Sequence, residues 1–148
     1  MNILIVNGPN LNMLGQREPN IYGNIKYIEF KKIIQQWAKE CQVKIKMIQS
    51  NHEGKLIDFL QKNYKKYDGF IFNLGALTHY SYALRDCIVM IHSPKVEVHL
   101  SDLNQREDFR KYSVIKDIVD LTIQGKGIDG YLESIRYLAK GVNNDRKI

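Results

Sequence analysis

ILIVNGPNLNMLGQREPNIYG, residues 3–23, is the stretch whose reading decides the fold. Residues 3–6 form an unbroken apolar run, the pattern of a strand covered on both faces. Residues 7–23 then carry Asn7, Asn10, Asn12, Arg17, Glu18 and Tyr22, with few groups suited to a core. Loops this long without structure of their own are functional lids or disordered segments. Gly15 and Gly23 are placed to hinge such a lid, which would carry Arg17 and Tyr22. Beyond it, residues 25–41 show apolar positions at Ile25, Ile28, Ile33, Ile34, Trp37, Ala38 and Cys41, an amphipathic helix. Residues 43–48 read as the next strand. Strand, helix and strand in this order make a right-handed βαβ unit with a parallel sheet.

The same alternation continues outward. Ser50, three residues before Glu53, suggests a capping box for a helix reaching about residue 64. Residues 69–72 read as a third strand. Thr78 is placed to cap a helix whose apolar face is Tyr80, Ala83, Leu84, Cys87, Ile88 and Ile91. Residues 95–100 read as a fourth strand and 121–123 as a weaker fifth. A short helix is expected near Asp102 and a last one over 128–140. The expected architecture is a flavodoxin-like, doubly wound, five-stranded parallel sheet in three α/β/α layers. It forms a single catalytic domain over 1–148, with a lid at about 9–23 and a loose tail in the last few residues. In such sheets ligands bind beyond the carboxyl ends of the strands. The unusual polar stretches NGPNLN, NLGALTH and HLSD all fall there.

Composition narrows the class. Of 148 residues, 44% are hydrophobic and 26% charged, which suits an ordinary globular core. Cys41 and Cys87, both within expected helices, suit free thiols in a reducing compartment, and their spacing matches no metal motif. No apolar stretch approaches the ~20 residues that span a bilayer. No secretory pattern opens the sequence, so a cytoplasmic protein is expected. The net charge of +6 comes from scattered basic residues, with a dense cluster only at the end. Nucleic acid is therefore disfavoured as a partner, while the sign suits a small anion. Gly8 and Gly15 stand too far apart for the dinucleotide fingerprint, and no Gly-Lys-Ser/Thr loop is present. No nucleotide cofactor is expected.

Three constellations carry chemistry. In VEVHLSD, strand alternation puts Glu97 and His99 on one face and Val96 and Val98 on the other. A carboxylate can fix the tautomer of an adjacent imidazole and raise its basicity. The plainer reading is a satisfied pair at a strand end. In NLGALTHYSYALRD, Asn73 ends a strand, while His79 and Asp86, seven apart, would share one side of a helix. Capping or packing is the ordinary alternative for His79. In QREDFR, Arg106 and Arg110 lie four apart, either a solvated helix face or a clamp for a carboxylate.

Taken together these residues resemble the type II 3-dehydroquinate dehydratases. NGPNLNMLGQREPNIYG looks like the family's signature. QSNHEG, the stretch 73–81 and VEVHLSDLNQREDFR follow in the family's order over essentially the whole chain. The resemblance implies dehydration of the anionic substrate 3-dehydroquinate to 3-dehydroshikimate, with no cofactor and no metal. It also implies a homo-oligomer, usually a dodecamer built from trimers. By the resemblance, Tyr22 is the proton-abstracting base, Arg17 the lid arginine beside it, His99 the general acid and Glu97 its orienting partner. Asn10 falls where the family holds a water against the developing enolate. Asn73, His79, Asp86, Leu100, Ser101 and Arg110 match substrate-binding positions, and Arg106 a structural or trimer-contact position. Leu74 stands where proline is common, Tyr80 where a small residue is, and 102–104 departs from the usual wording of that turn.

Two other readings compete. A lysine Schiff base would need a lysine at the site, and only Lys95, at the wrong end of its strand, comes near. A flavodoxin-like nucleotide- or RNA-binding module would use the basic surface but leave Tyr22, Glu97 and His99 without a purpose.

Overall fold

The computed structural model describes residues 1–16 and 18–145, the side chains of Tyr22 and 142–145 excepted. Its elements are β1 (Asn2–Asn7), a short α1 (Pro19–Tyr22), α2 (Tyr27–Glu40), β2 (Lys44–Gln49), α3 (Glu53–Asn63), β3 (Gly69–Asn73), α4 (Tyr82–Val89), β4 (Lys95–His99), β5 (Leu121–Gln124) and α5 (Asp129–Asp145). The strands form one sheet in the order β2-β1-β3-β4-β5. Every neighbouring pair is parallel. This is the expected flavodoxin-like arrangement. The order reverses between β1 and β3, where Asn7 and Asn73 are register partners at the carboxyl ends. That position is the switch point at which such sheets open a crevice.

Strand alternation sorts the core into two layers. Ile3, Ile5, Ile71, Val96 and Val98 pack under Phe30 and Ile34 of α2 and Tyr131, Ile135 and Leu138 of α5. Leu4, Val6, Phe70 and Phe72 face the other way, against Leu56 and Leu60 of α3 and Leu84 and Ile88 of α4. Burial on both faces is why these strands read as unbroken apolar runs.

Several local expectations differ from the structure. The buried stripe of α2 is Phe30, Ile34 and Ala38, while Ile28 points outward. Ser50 does not cap α3: the helix begins at Glu53, and the Ser50 hydroxyl accepts from the His52 N–H at 3.0 Å. Glu53 instead accepts from Ser81 Oγ at 2.5 Å. Thr78 lies in a 3-10 turn, Gly75–His79, and the cap of α4 is Ser81, which accepts from the Leu84 N–H at 3.1 Å. Because α4 starts only at Tyr82, Tyr80 and Ala83 are exposed instead of buried. The final helix continues past 140 to Asp145. The loose tail expected at the chain end falls on 146–148, outside the described residues. Cys87 is buried and Cys41 half-buried, both as free thiols.

The loop after β1 is shaped by close backbone approaches. A Cβ on Gly8 would lie 2.2 Å from the Leu74 carbonyl oxygen, and the Gly8 N–H donates to the Asn73 carbonyl at 2.7 Å. Gly75 lies at φ 58, and a Cβ there would come within 2.8 Å of the Pro9 carbonyl oxygen. Only glycine permits this contact between the β1 and β3 loops. Leu74, the residue that departs from proline, is fully buried in the core beside them.

Candidate active site

A cavity of about 250 Å³ opens where β1, β3 and β4 end. The β1 loop contributes Asn10, Leu11 and Leu14; the β3 loop contributes Asn73, Gly75, Ala76 and His79. The β4 end contributes His99, Leu100, Ser101 and Leu103, and the turns beyond it Arg106 and Arg110. Seven of the expected site residues (Asn10, Asn73, His79, His99, Leu100, Ser101 and Arg110) therefore meet here, with Arg106 beside them. Arg17 and the side chain of Tyr22 lie outside the described residues. Asp86 does not line this cavity. It is exposed on α4, whereas His79 precedes that helix, so the two do not share a helix side.

Glu97 sits one layer behind the cavity, fully buried, as the expected partner of His99. Its Oε1 accepts from His99 Nε2 at 2.7 Å, Thr78 Oγ1 at 2.5 Å and Ser113 Oγ at 2.7 Å. Burial pushes the Glu97 carboxyl up. The hydrogen bond and electrostatic attraction of His99, with the Thr78 and Ser113 hydroxyls, outweigh it and hold the group below the ordinary carboxylate range. An anionic Glu97 takes the hydrogen of His99 Nε2 and leaves Nδ1 for the cavity side of the ring. Thr78 and Ser113 carried no sequence signal for this role. Their hydroxyls matter only because folding brings them onto one carboxylate.

His79 is the second imidazole of the cavity. Burial lowers its pKa; the Tyr112 carbonyl opposes this, and the electrostatics of His99 and Arg110 add to the lowering. Nδ1 donates to the Tyr112 carbonyl at 2.7 Å, so a neutral ring presents Nε2 as an acceptor. Arg106 and Arg110 do not share a helix. Arg106 directly follows one 3-10 turn, Leu103–Gln105, and Arg110 ends a second, Asp108–Arg110, yet both face the cavity. Arg110 Nε donates to Glu107 at 2.9 Å, and its guanidinium lies 4.8 Å from the Phe109 ring centre. Arg106 Nη1 donates to Ser101 Oγ at 3.3 Å. Asp102 caps the first turn through the Asn104 N–H at 3.0 Å. Two guanidiniums at the mouth favour an anion.

Asn10 stands in the left-handed region at φ 69, a conformation asparagine tolerates. Its N–H donates to Asn51 Oδ1 at 2.9 Å, and Gln49 Nε2 reaches the Gly8 carbonyl at 3.2 Å. The QSNHEG stretch thus braces the first turn of the loop after β1. Lys95 is buried at the opposite end of β4, its Nζ donating to the Ile91 carbonyl at 2.6 Å, and among the described residues no lysine lines the cavity. Among the described residues no group of three or more His, Cys, Asp or Glu is placed to hold a metal, and no helix is long and apolar enough to cross a membrane.

The fold and site define a flavodoxin-like α/β protein with a cation-rimmed, imidazole-bearing cavity at its switch point. Residues 1–139 match the family Dehydroquinase class II, and the chain belongs to that family. It is 47% identical over 140 residues to the 3-dehydroquinate dehydratase of Thermotoga maritima, covering 95% of this chain and 96% of that one. It is 50% identical over 138 residues to that of Roseiflexus castenholzii, covering 93% and 88%. The crystal structure of type II dehydroquinase from Butyrivibrio crossotus superposes with a TM-score of 0.91 at 46% identity, covering 93% of this chain and 97% of that one.

Proposed function

We propose that this protein is a single-domain, cofactor-independent 3-dehydroquinate dehydratase. It converts 3-dehydroquinate to 3-dehydroshikimate by anti elimination through an enolate, in the shikimate pathway of aromatic amino-acid biosynthesis. The observation that carries the reading is the buried Glu97–His99 pair, 2.7 Å apart, opening onto a cavity rimmed by Arg106 and Arg110.

The reaction takes a proton from the carbon beside a ketone and expels hydroxide from the next carbon. Anti geometry needs a base on one face and an acid on the other. Tyr22 is the base. A phenol with a pKa near ~10 is ionised to about one part in a thousand at pH 7, a handicap of roughly 4 kcal/mol. Its phenolate is, in return, a stronger base than imidazole, better matched to a weak C–H acid. Arg17 on the same lid supplies the positive charge that favours phenolate. Closing the lid excludes water and strengthens that interaction. His99, held by Glu97, delivers a proton to the departing hydroxyl. Asn10, with a bound water, stabilises the enolate oxygen, the electrostatic contribution that usually dominates such steps.

The substrate carboxylate is taken by the backbone at Leu100 and Ser101 and by the Ser101 hydroxyl, with Arg110 beside them. Asn73 and His79 meet the ring oxygens. The working enzyme is a homo-oligomer, a dodecamer built from trimers, in the cytoplasm. Exposed Tyr80, Tyr82, Phe109 and Tyr112 offer apolar surface for contacts between subunits.

The test is to add 3-dehydroquinate and follow the conjugated-enone absorbance of the product, with and without borohydride. Turnover that survives borohydride supports the reading. Borohydride inactivation that requires substrate would instead indicate a Schiff base. Salt-dependent polyanion binding with no turnover would favour the nucleic-acid module.

A further inference from the structure

Behind the cavity lies a buried polar chain of which the mechanism above uses only Asn73. The Tyr131 hydroxyl, on α5, donates to Asn7 Oδ1 at 2.7 Å and accepts from Asn73 Nδ2 at 2.9 Å. Asn7 Nδ2 donates in turn to the Tyr27 hydroxyl at 3.3 Å, and Asn73 Oδ1 accepts from the Gly75 N–H at 3.3 Å. Tyr131 and Asn7 are fully buried, and Asn73 is 4% exposed where it lines the cavity. A buried tyrosine between two buried asparagines is costly to build unless every group is satisfied. Here every group is.

The two ends of an asparagine amide are alike in shape and opposite in hydrogen bonding. Which end faces a ligand decides whether the site offers a donor or an acceptor. Taken by itself the Tyr27–Asn7–Tyr131–Asn73 chain can run in either direction, because hydroxyls and amides can all be turned round. Gly75 removes that freedom, since its backbone N–H can only donate. It must meet Asn73 Oδ1, which turns Nδ2 toward Tyr131. A phenol has one hydrogen, and with Asn73 donating to it, that hydrogen goes to Asn7. Burial pushes the Tyr131 pKa well above that of a free phenol, so the hydrogen stays in place. One hydrogen of Asn73 Nδ2 is then committed to Tyr131, and the other is left for the occupant of the cavity.

We propose that Tyr131 is a positioning residue of this site: through Asn73 it fixes the amide so that the cavity presents an N–H donor to an oxygen of the bound anion. This rests on the substrate class proposed above. Without the Tyr131 oxygen, Asn73 is held only by the longer Gly75 bond, and a turned amide would set its carbonyl against the ligand's oxygen.

Wild-type turnover of 3-dehydroquinate tests the activity by itself. The orientation is read independently, without substrate, from hydrogen exchange of the Asn73 side-chain amide by NMR. One protected hydrogen is expected in the native protein; exchange as fast as in exposed Asn104 would overturn the proposal even if Tyr131→Phe failed to fold. In folded Tyr131→Phe the protection should vanish. KM should rise about ten-fold with kcat changed much less, the mark of lost ground-state binding. In an Asn73→Ala background the same substitution should leave KM unchanged. Additive penalties in that cycle, or a fall in kcat at constant KM, would reduce Tyr131 to a core residue.

Discussion

Glu97→Gln takes a charge from the site while keeping its shape. In the native protein Oε1 accepts from Thr78, His99 and Ser113 at 2.5, 2.7 and 2.7 Å, and Oε2 lies 3.0 Å from Ser113 Oγ. A glutamine oxygen can occupy the Oε1 place, and its nitrogen then faces a serine oxygen able to accept. Each donor keeps a partner, so the fold should survive. The His99 bond is what changes. A hydrogen bond to a charged group contributes ~1.5–3 kcal/mol and a neutral one ~0.5–1.5 kcal/mol, a loss of about 1–2 kcal/mol. If His99 passes its proton in the limiting step, kcat falls about 5- to 30-fold. KM should hold, because Glu97 does not line the cavity. Steady-state kinetics from the enone absorbance, with a thermal melt as the folding control, decides the matter. A well-folded variant with native kcat, or one in which only KM moves, would refute the idea that this carboxylate acts through His99.

Three further outcomes are expected. Tyr22→Phe and Arg17→Ala should each lose most of kcat, about 10²- to 10⁴-fold for removal of a general base; near-native turnover in Tyr22→Phe would place the base elsewhere. Gly8→Ala puts a methyl 2.2 Å from the Leu74 carbonyl oxygen. The two loops must then part by about 1 Å, which costs about 100-fold in kcat/KM and ~1–3 kcal/mol of stability; unchanged kinetics and melting would show that the loops act independently. The Glu97 carboxyl is held below its ordinary value of 4.5 in the folded state. Its contribution to stability is therefore complete above that pH and lost as the pH falls through the depressed folded value. Denaturant midpoints of the native protein should fall more steeply below about pH 4.5 than those of Glu97→Gln, and parallel acid curves would contradict this.

The strand pattern was legible because burial on two faces writes itself locally, as in residues 3–6 and 69–72. Glu97 and His99 were legible because alternate strand residues share a face. Legibility failed wherever a side chain had a partner far along the chain. Thr78 has the residue type of a helix cap, but its hydroxyl is drawn to a carboxylate 19 residues away, and Ser81 caps instead. Asp86 has helical spacing from His79, but the helix starts between them and turns Asp86 to solvent. Arg106 and Arg110 reach the cavity by two tight turns, although their spacing suggests one helix face.

By itself, then, the amino-acid order determined the alternation of elements, the doubly wound sheet, and the three strand ends at which polar residues gather. These follow from hydrophobic periodicity, which acts between residues close in sequence. Only the tertiary structure decided how those ends are wired: Tyr131 set between Asn73, 58 residues away, and Asn7, 124 away, and two hydroxyls closing on Glu97. Hydrogen bonds of that span leave no periodic trace in the chain, because their geometry exists only once the layers have packed.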